Sequence, residues 1–137
     1  MLYKKGSALE GVRVLDLGNV IAGPFTTAIL ADMGASVIKV EKPQGGDNAR
    51  DNLPKKDGES TYFVNFNRSK KGVTLDLKKV KEIFFRLIER ADVVVENFRP
   101  GVMEKLGYGY EELKKINSGI IYASVSGFGQ NGPYKNR

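Results

Sequence analysis

Residues 12–41 read VRVLDLGNVIAGPFTTAILADMGASVIKVE, and the order of signals inside them decides the fold. Val12, Val14, Leu15 and Leu17 form a short apolar run, the pattern of a strand buried in a parallel sheet. Gly18 and Gly23 bracket a turn, where glycine permits tight backbone and close approach to a ligand. Pro24 suits a first helical turn, because its missing N–H would have no partner there. Phe25, Ile29 and Met33 are expected to give that helix its apolar face. Gly34 stands where a helix stops on a left-handed residue. Val37, Ile38 and Val40 start a second strand that ends in Glu41. Strand, crossover helix and parallel strand make a right-handed unit. Ligands of such sheets sit at the carboxyl ends of the strands. The Gly18–Gly23 turn and the segment after Val40 should therefore share one mouth.

Outward from this unit, residues 1–10 are a polar lead-in. Residues 42–60 are rich in Gly, Asp, Asn, Lys and Pro and read as a long surface excursion, functional or mobile. Residues 61–66 bring the chain back to the body, as strand or helix. Residues 67–71 form a basic turn. Residues 73–77, VTLDL, alternate as a strand. Residues 79–91 give the clearest helix, with Val80, Ile83, Phe84, Leu87 and Ile88 on one face. Residues 92–96, DVVVE, are a buried parallel strand. Pro100 opens a short helix closed by Gly107. A second short helix covers residues 110–116, and a strand covers 120–125. The polar loop SGFGQNGPYKNR follows. This alternation is a doubly wound α/β pattern, with a Rossmann-like, mostly parallel sheet and helices on both faces. The last strand has no closing helix, so the 137 residues are expected to be the first part of a larger domain.

Composition narrows the function classes. The chain is 41% hydrophobic, with no Cys, no His and a formal net charge of +6. Without Cys there are no disulfides or thiolate metal sites, and a reducing cytoplasm is the expected setting. Without His, the commonest general base near neutral pH is missing. No apolar run reaches the roughly 20 residues of a membrane span. The positive charge suits an anionic partner, or only a soluble surface.

The turn GNVIAGP is neither the GxGxxG dinucleotide fingerprint nor a phosphate loop with Gly-Lys-Ser/Thr. It is either an anion site at a helix start or a tight turn without a ligand. Glu41 stands where a ribose-binding acid would sit, but Lys42 beside it favours phosphate. Asn67, Arg68, Lys70, Lys71, Lys78 and Lys79 flank one strand, and alone they read as solvated surface. The segment ENFRPGVMEKLG is more specific. Asn97, Phe98 and Arg99 follow a buried strand, and Lys105 comes about one helical turn later. Aromatic and guanidinium groups stack on a purine, and Arg forks onto phosphate.

Four stretches together resemble the N-terminal part of the class III CoA-transferases: LEGVRVLDLGNVIAGPFTTAILADMGASVIKVEKPQGGD, NRSKKGVTLDLK, ADVVVENFRPGVMEKLGYGYEEL and GIIYASVSGFGQNGPYKNR. That group includes formyl-CoA transferase, the carnitine and bile-acid CoA-transferases and the α-methylacyl-CoA racemases. The resemblance implies a Rossmann-like large domain, a smaller domain and an interlocked homodimer, with residues 1–137 as the N-terminal part of the large CoA-binding domain. It implies acyl-CoA and carboxylic acid substrates, coenzyme A as the group carried, and no metal, nucleic acid or membrane partner. It places Ile21 and Ala22 beside the CoA, Lys42 near the nucleotide phosphates, and Leu75 and Lys78 along the nucleotide. Asn97, Phe98 and Arg99 form the next binding segment, with Lys105 and Arg137 as further basic contacts.

The family's catalytic aspartate attacks the thioester and cycles through an aspartyl-CoA intermediate. It is expected beyond Arg137, so none of Asp16, Asp32, Asp76 and Asp92 is assigned to catalysis. The piece alone is expected to be inactive and poorly stable. A racemase would instead use a His-Asp pair just past Arg137. The ending GPYKNR resembles the transferase branch more. The alternative from another class is a non-enzymatic nucleotide-binding module.

Overall fold

A computed structural model describes residues 6–137; of the polar lead-in, residues 1–5 lie outside the described part. Five strands make the main sheet: β1 (Arg13–Asp16), β2 (Ser36–Glu41), β5 (Lys71–Thr74), β6 (Val93–Glu96) and β7 (Ile121–Ser124). All neighbours are parallel, in the order β5-β2-β1-β6-β7. The sheet grows outward from β1 in both directions, so β1 and β6 flank the switch point of a doubly wound sheet. A small antiparallel hairpin, β3 (Lys55–Lys56) and β4 (Glu59–Ser60), lies apart from it.

Alternation along the central strands divides the core into two layers. Val14, Val37 and Val95 pack with Ala31 and Ala35 of the α1 region (α1, Ala22–Asp32). Leu15 and Val94 point the other way. They meet Phe84 and Ile88 of α3 (Lys81–Ile88), Met103 of α4 (Val102–Leu106), Leu113 of α5 (Tyr110–Ile116), and Tyr108. Helices therefore cover both faces. Phe84 and Tyr108 meet edge to face, with ring centroids 4.7 Å apart.

The face of α1 differs from its sequence pattern. The helix buries Gly23, Pro24, Thr27, Ala28 and Ala31. Phe25, Ile29 and Met33, the expected core stripe, are 46%, 44% and 44% exposed. The cause is close approach. A Cβ on Gly23 would lie 2.6 Å from the Gly18 Cα, so only small residues fit under the helix and the large ones turn outward.

Other boundaries also move. The strand read at 73–77 is β5, Lys71–Thr74, because its partner β2 ends at Glu41, which pairs with Thr74. Leu75 still donates its N–H to the Glu41 carbonyl (2.9 Å), and the chain then leaves the sheet. The helix read at 79–91 is shorter, Lys81–Ile88. Phe84 and Ile88 are buried, while Ile83 is half exposed. The excursion after Lys42 is more ordered than its composition suggests. It holds a 3-10 turn at Asn48–Asp51 and the β3–β4 hairpin, and it buries Asp47, Ala49 and Ser60. Residues 61–66 are a helix, α2 (Thr61–Phe66), whose N-cap Ser60 accepts from the Phe63 N–H at 3.2 Å.

Candidate nucleotide-binding site

The carboxyl edge of the sheet carries a hollow of about 230 Å³. Its apolar walls are Leu17 after β1, Val40 in β2, Leu75 and Leu77 after β5, Phe98 after β6, and Leu106 on α4. Gly18 and Asn19 supply turn backbone, and Lys42, Lys78, Glu41, Asp47 and Asp76 form the polar rim. The volume falls below the roughly 300–1,000 Å³ of whole-ligand pockets. It suits one flat apolar end of a larger ligand.

The rim's charges are unequal in what they can offer. Glu41 takes a two-pronged contact from Arg50, with both N···O distances 2.8 Å, and also accepts from the Asp47 N–H. The Arg50 hydrogen bond, the largest influence, holds its carboxyl below the usual range. Asp47 faces the Lys39 ammonium at 2.8 Å. Asp76 accepts from the Lys78 N–H (3.1 Å) and stands 3.6 Å from the Lys79 ammonium. The acids are thus engaged within the protein. Among the described residues, Lys42 meets the neutral Asn48 side-chain oxygen at 3.1 Å and Lys78 makes no ion pair. Of the described residues on this rim, these two cations are left available to a ligand.

Behind the turn lies a buried charge cluster. Asp16 and Lys39 are 0% and 2% exposed. One Asp16 oxygen accepts from the Gly18 N–H (2.8 Å); the other accepts from the Thr27 hydroxyl (2.7 Å) and the Lys70 ammonium (2.8 Å). Lys70 also donates to the Pro24 carbonyl and to Asn67. Burial pushes the Lys70 ammonium below its ordinary value, and Asp16 opposes that shift. Lys39 donates to the Gly18 carbonyl at 2.7 Å. Asp47 accepts from the N–H groups of Val20 (2.9 Å) and Ala49 (2.8 Å). Two ammoniums and two carboxylates are buried together with little net charge, the condition for burying them at all.

Lys42, Leu75, Lys78 and Phe98, four of the residues singled out from the sequence, line the hollow. Asn97 stands behind the wall. Its side-chain oxygen accepts from the Asn19 N–H at 2.7 Å and its amide donates to the Asn19 carbonyl at 2.9 Å, so it fastens the turn. Ile21 and Ala22 are exposed at the start of α1, outside the lining. Arg99 and Lys105 are exposed beside lining residues Phe98 and Leu106. Arg137 lies in the last loop, its guanidinium 4.8 Å from the Tyr134 ring, and does not line this hollow.

Sequence reasoning missed Leu77, Leu106, Asp47 and the buried charges. A signal existed for the last. Asp16 and Lys39 sit inside apolar strand runs, where a charge needs a partner. Lys70, read as solvated, is that partner for Asp16.

A second, larger hollow of about 710 Å³ lies beside β6 and β7, lined by Glu96, Glu104, Tyr122, Ser124, Gln130 and Lys135 among others. Glu96 is 3% exposed and accepts from the Phe98 N–H (2.7 Å) and the Ser124 hydroxyl. Burial pushes its carboxyl above the ordinary range.

Comparison with known proteins shows what the chain is similar to. The family model described as CoA-transferase family III matches residues 9–137. An acetyl-CoA:oxalate CoA-transferase of Acetobacter aceti is 49% identical over 95% of this chain and 34% of its own length. A succinyl-CoA:glutarate CoA-transferase of Mus musculus is 48% identical over 94% of this chain and 30% of its own length. The chain thus spans about a third of the curated relatives it matches. Among solved structures, Rv3272 of M. tuberculosis superposes with a TM-score of 0.88 at 45% identity, covering 98% of this chain and 38% of that one. A CAIB/BAIF family protein from Brucella suis gives 0.90 at 41% identity, covering 97% and 37%.

Proposed function

The chain belongs to CoA-transferase family III, and from that premise we propose that its hollow holds the adenine and phosphate end of coenzyme A. The enzyme it serves moves CoA from an acyl-CoA thioester to a carboxylic acid. One observation carries the reading. Lys42, Leu75, Lys78 and Phe98 come from three separate loops and converge on one hollow. Phe98 and the leucines offer a planar apolar slot for the purine. Lys42 and Lys78 face the phosphates. Asn97 shapes the turn, and Ile21, Ala22, Arg99 and Lys105 border the ligand farther out. Arg137 is a further basic contact in this reading.

The aspartyl mechanism is part of the proposal. A carboxylate attacks the thioester carbonyl and expels CoA thiolate, leaving an acyl-aspartyl anhydride. The thiolate then attacks the aspartyl carbonyl, releasing the first acid and leaving aspartyl-CoA. The acceptor acid repeats the sequence in reverse. By the family resemblance the nucleophile is not among the aspartates of residues 1–137, several of which are ion-paired, such as Asp16 with Lys70 and Asp47 with Lys39; in this reading residues 1–137 alone are inactive. The uncovered stripe Ile21, Phe25, Ile29 and Met33 supports an interlocked homodimer whose other parts cover it. Among the described residues, no helix is long and apolar enough to cross a membrane. A cytoplasmic setting is proposed from the lack of Cys.

Calorimetric titration with CoA tests the site. Lys42→Ala/Lys78→Ala should weaken binding at least tenfold, and Arg99→Ala should weaken it less. Lys55→Ala, on the β3–β4 hairpin and outside the lining, should leave it unchanged. Equal affinity in the double variant and the wild type would refute the reading. Exchange of the α-proton of a 2-methylacyl-CoA, without CoA transfer, would point to the racemase branch instead.

A further inference from the structure

We infer that the buried Lys39–Asp47 pair is a positioning device, in which Lys39, itself off the lining, sets the shape of the turn that walls the nucleotide hollow. This rests on the reading of the hollow as the CoA site.

The first three residues of the turn are all held. The Gly18 N–H goes to Asp16, the Gly18 carbonyl to Lys39, both Asn19 backbone groups to Asn97, and the Val20 N–H to Asp47. Val20 sits at φ 66. A β-branched residue in the left-handed region is a true outlier and persists only where its surroundings over-determine it. Lys39 lies in β2 and does not line the hollow, yet its ammonium joins the turn after β1 to the loop after β2. Those two segments are opposite walls: Gly18 and Asn19 on one side, Lys42 and Asp47 on the other.

A stable core does not require this pair. Buried ion pairs are often replaced by apolar residues of similar size without loss of stability. An apolar pair would fill the space but would hold neither the Gly18 carbonyl nor the Val20 N–H. What the charges add is therefore a defined backbone shape. Such a device acts on ligand affinity and leaves the chemical step alone.

The test uses the complete enzyme. Lys39→Met alone leaves Asp47 buried without its cation and should lower the melting temperature. Lys39→Met/Asp47→Leu removes both charges and should regain most of it. In that double variant CoA should still bind at least tenfold more weakly by calorimetry. KM for acyl-CoA should rise by a similar factor, with kcat within about twofold. Wild-type affinity in the stable double variant would make the pair merely structural and overturn the inference. A fall in kcat at unchanged KM would overturn it too. Lys39→Met/Asp47→Asn covers the case in which that double variant fails to fold. Asn keeps an acceptor for the Val20 N–H, while the Gly18 carbonyl still loses its donor, so affinity should drop several-fold. Unchanged affinity there would also refute the clamp. Lys78→Ala separates the two ideas: unchanged affinity there ends the nucleotide reading itself. Weaker binding in Lys78→Ala with wild-type binding in the charge-free variant ends only the inference.

Discussion

Replacing Asp16 by Asn is the sharpest test of how this fold tolerates buried charge. Asp16 is fully buried at the end of β1 and receives three donors: the Gly18 N–H, the Thr27 hydroxyl and the Lys70 ammonium. The Asn side chain keeps an oxygen acceptor and nearly the same volume, so no cavity opens. What disappears is the negative charge 2.8 Å from Lys70 and 4.0 Å from Lys39. Lys70 keeps two neutral acceptors, the Pro24 carbonyl and the Asn67 side chain. Breaking a buried pair on one side costs about 3–5 kcal/mol. That is a large share of the about 5–15 kcal/mol that holds an ordinary domain together. Lys70 has a way out. Burial already pushes its pKa down, and Asp16 is the main influence opposing that shift. Once the carboxylate is gone, the ammonium loses its proton more readily. Deprotonation is favoured by folding and grows easier as pH rises, so the penalty should be greatest at low pH and shrink toward alkaline pH. Denaturant titration followed by far-ultraviolet circular dichroism, repeated from about pH 6 to pH 9, measures this. Asp16→Asn/Lys70→Met should recover most of the loss. A penalty under about 1 kcal/mol, the size expected of an exposed pair, or one that does not change with pH, would refute the reasoning.

Three further outcomes follow from the same geometry. Glu41→Gln and Glu96→Gln should change the pH dependence of stability in opposite senses. The Glu41 carboxyl is held below its ordinary 4.5 by Arg50, so its contribution is present above that value and is lost as pH falls through the lower folded value. Burial raises Glu96 above 4.5, so its contribution is present below that value and is lost as pH rises; parallel difference curves from denaturation at several pH values would count against both. Phe84→Ala removes a fully buried ring packed edge-on against Tyr108. It should cost about 3–5 kcal/mol in denaturant midpoint analysis, and a loss under about 1 kcal/mol would show that the helical face of the core is loosely packed. Gly18→Ala would put a Cβ 2.7 Å from the Gly23 Cα and 2.8 Å from an Asp16 oxygen; because backbone cannot yield there, CoA binding should fall more than tenfold, and wild-type affinity by calorimetry would contradict the close approach of turn and helix.

The strand and helix alternation was legible because each element carries its own periodicity. DVVVE has almost no polar face and became β6, Val93–Glu96. The short helix read over residues 110–116 is α5, Tyr110–Ile116. Periodicity does not say which face a sheet will take. In α1 it marked Phe25, Ile29 and Met33, but the contact between Gly18 and Gly23 decided for the small residues. Alternation in VTLDL was real, yet the extent of β5 was set by where β2 stops, which is information in another segment. Four site residues were legible because they follow strands that read clearly. Leu106 was not, because it reaches the hollow only through the docking of α4. Lys70 was misread for the same kind of reason: its partner Asp16 lies 54 residues away.

Those long-range pairings also explain how a basic chain directs its charge. Formal charge is +6, but the count alone does not locate a field. Asp16 and Asp47 turn inward to Lys70 and Lys39, and the cluster adds little to the outside. Glu41, the acid nearest Lys42 in sequence, is bound twice by Arg50, while Lys42 contacts the neutral Asn48. Each acid at the sheet edge is thus neutralised by a cation that does not line the hollow, or is turned to its own backbone. Lys42 and Lys78 keep their charge for whatever enters between them. An edge built this way attracts a polyanion more strongly than its residue count suggests, because its acids have been spent on shape. That coupling of buried pairing to available charge is why removing an inward-facing carboxylate should disturb the fold, while removing an outward-facing lysine should disturb only binding.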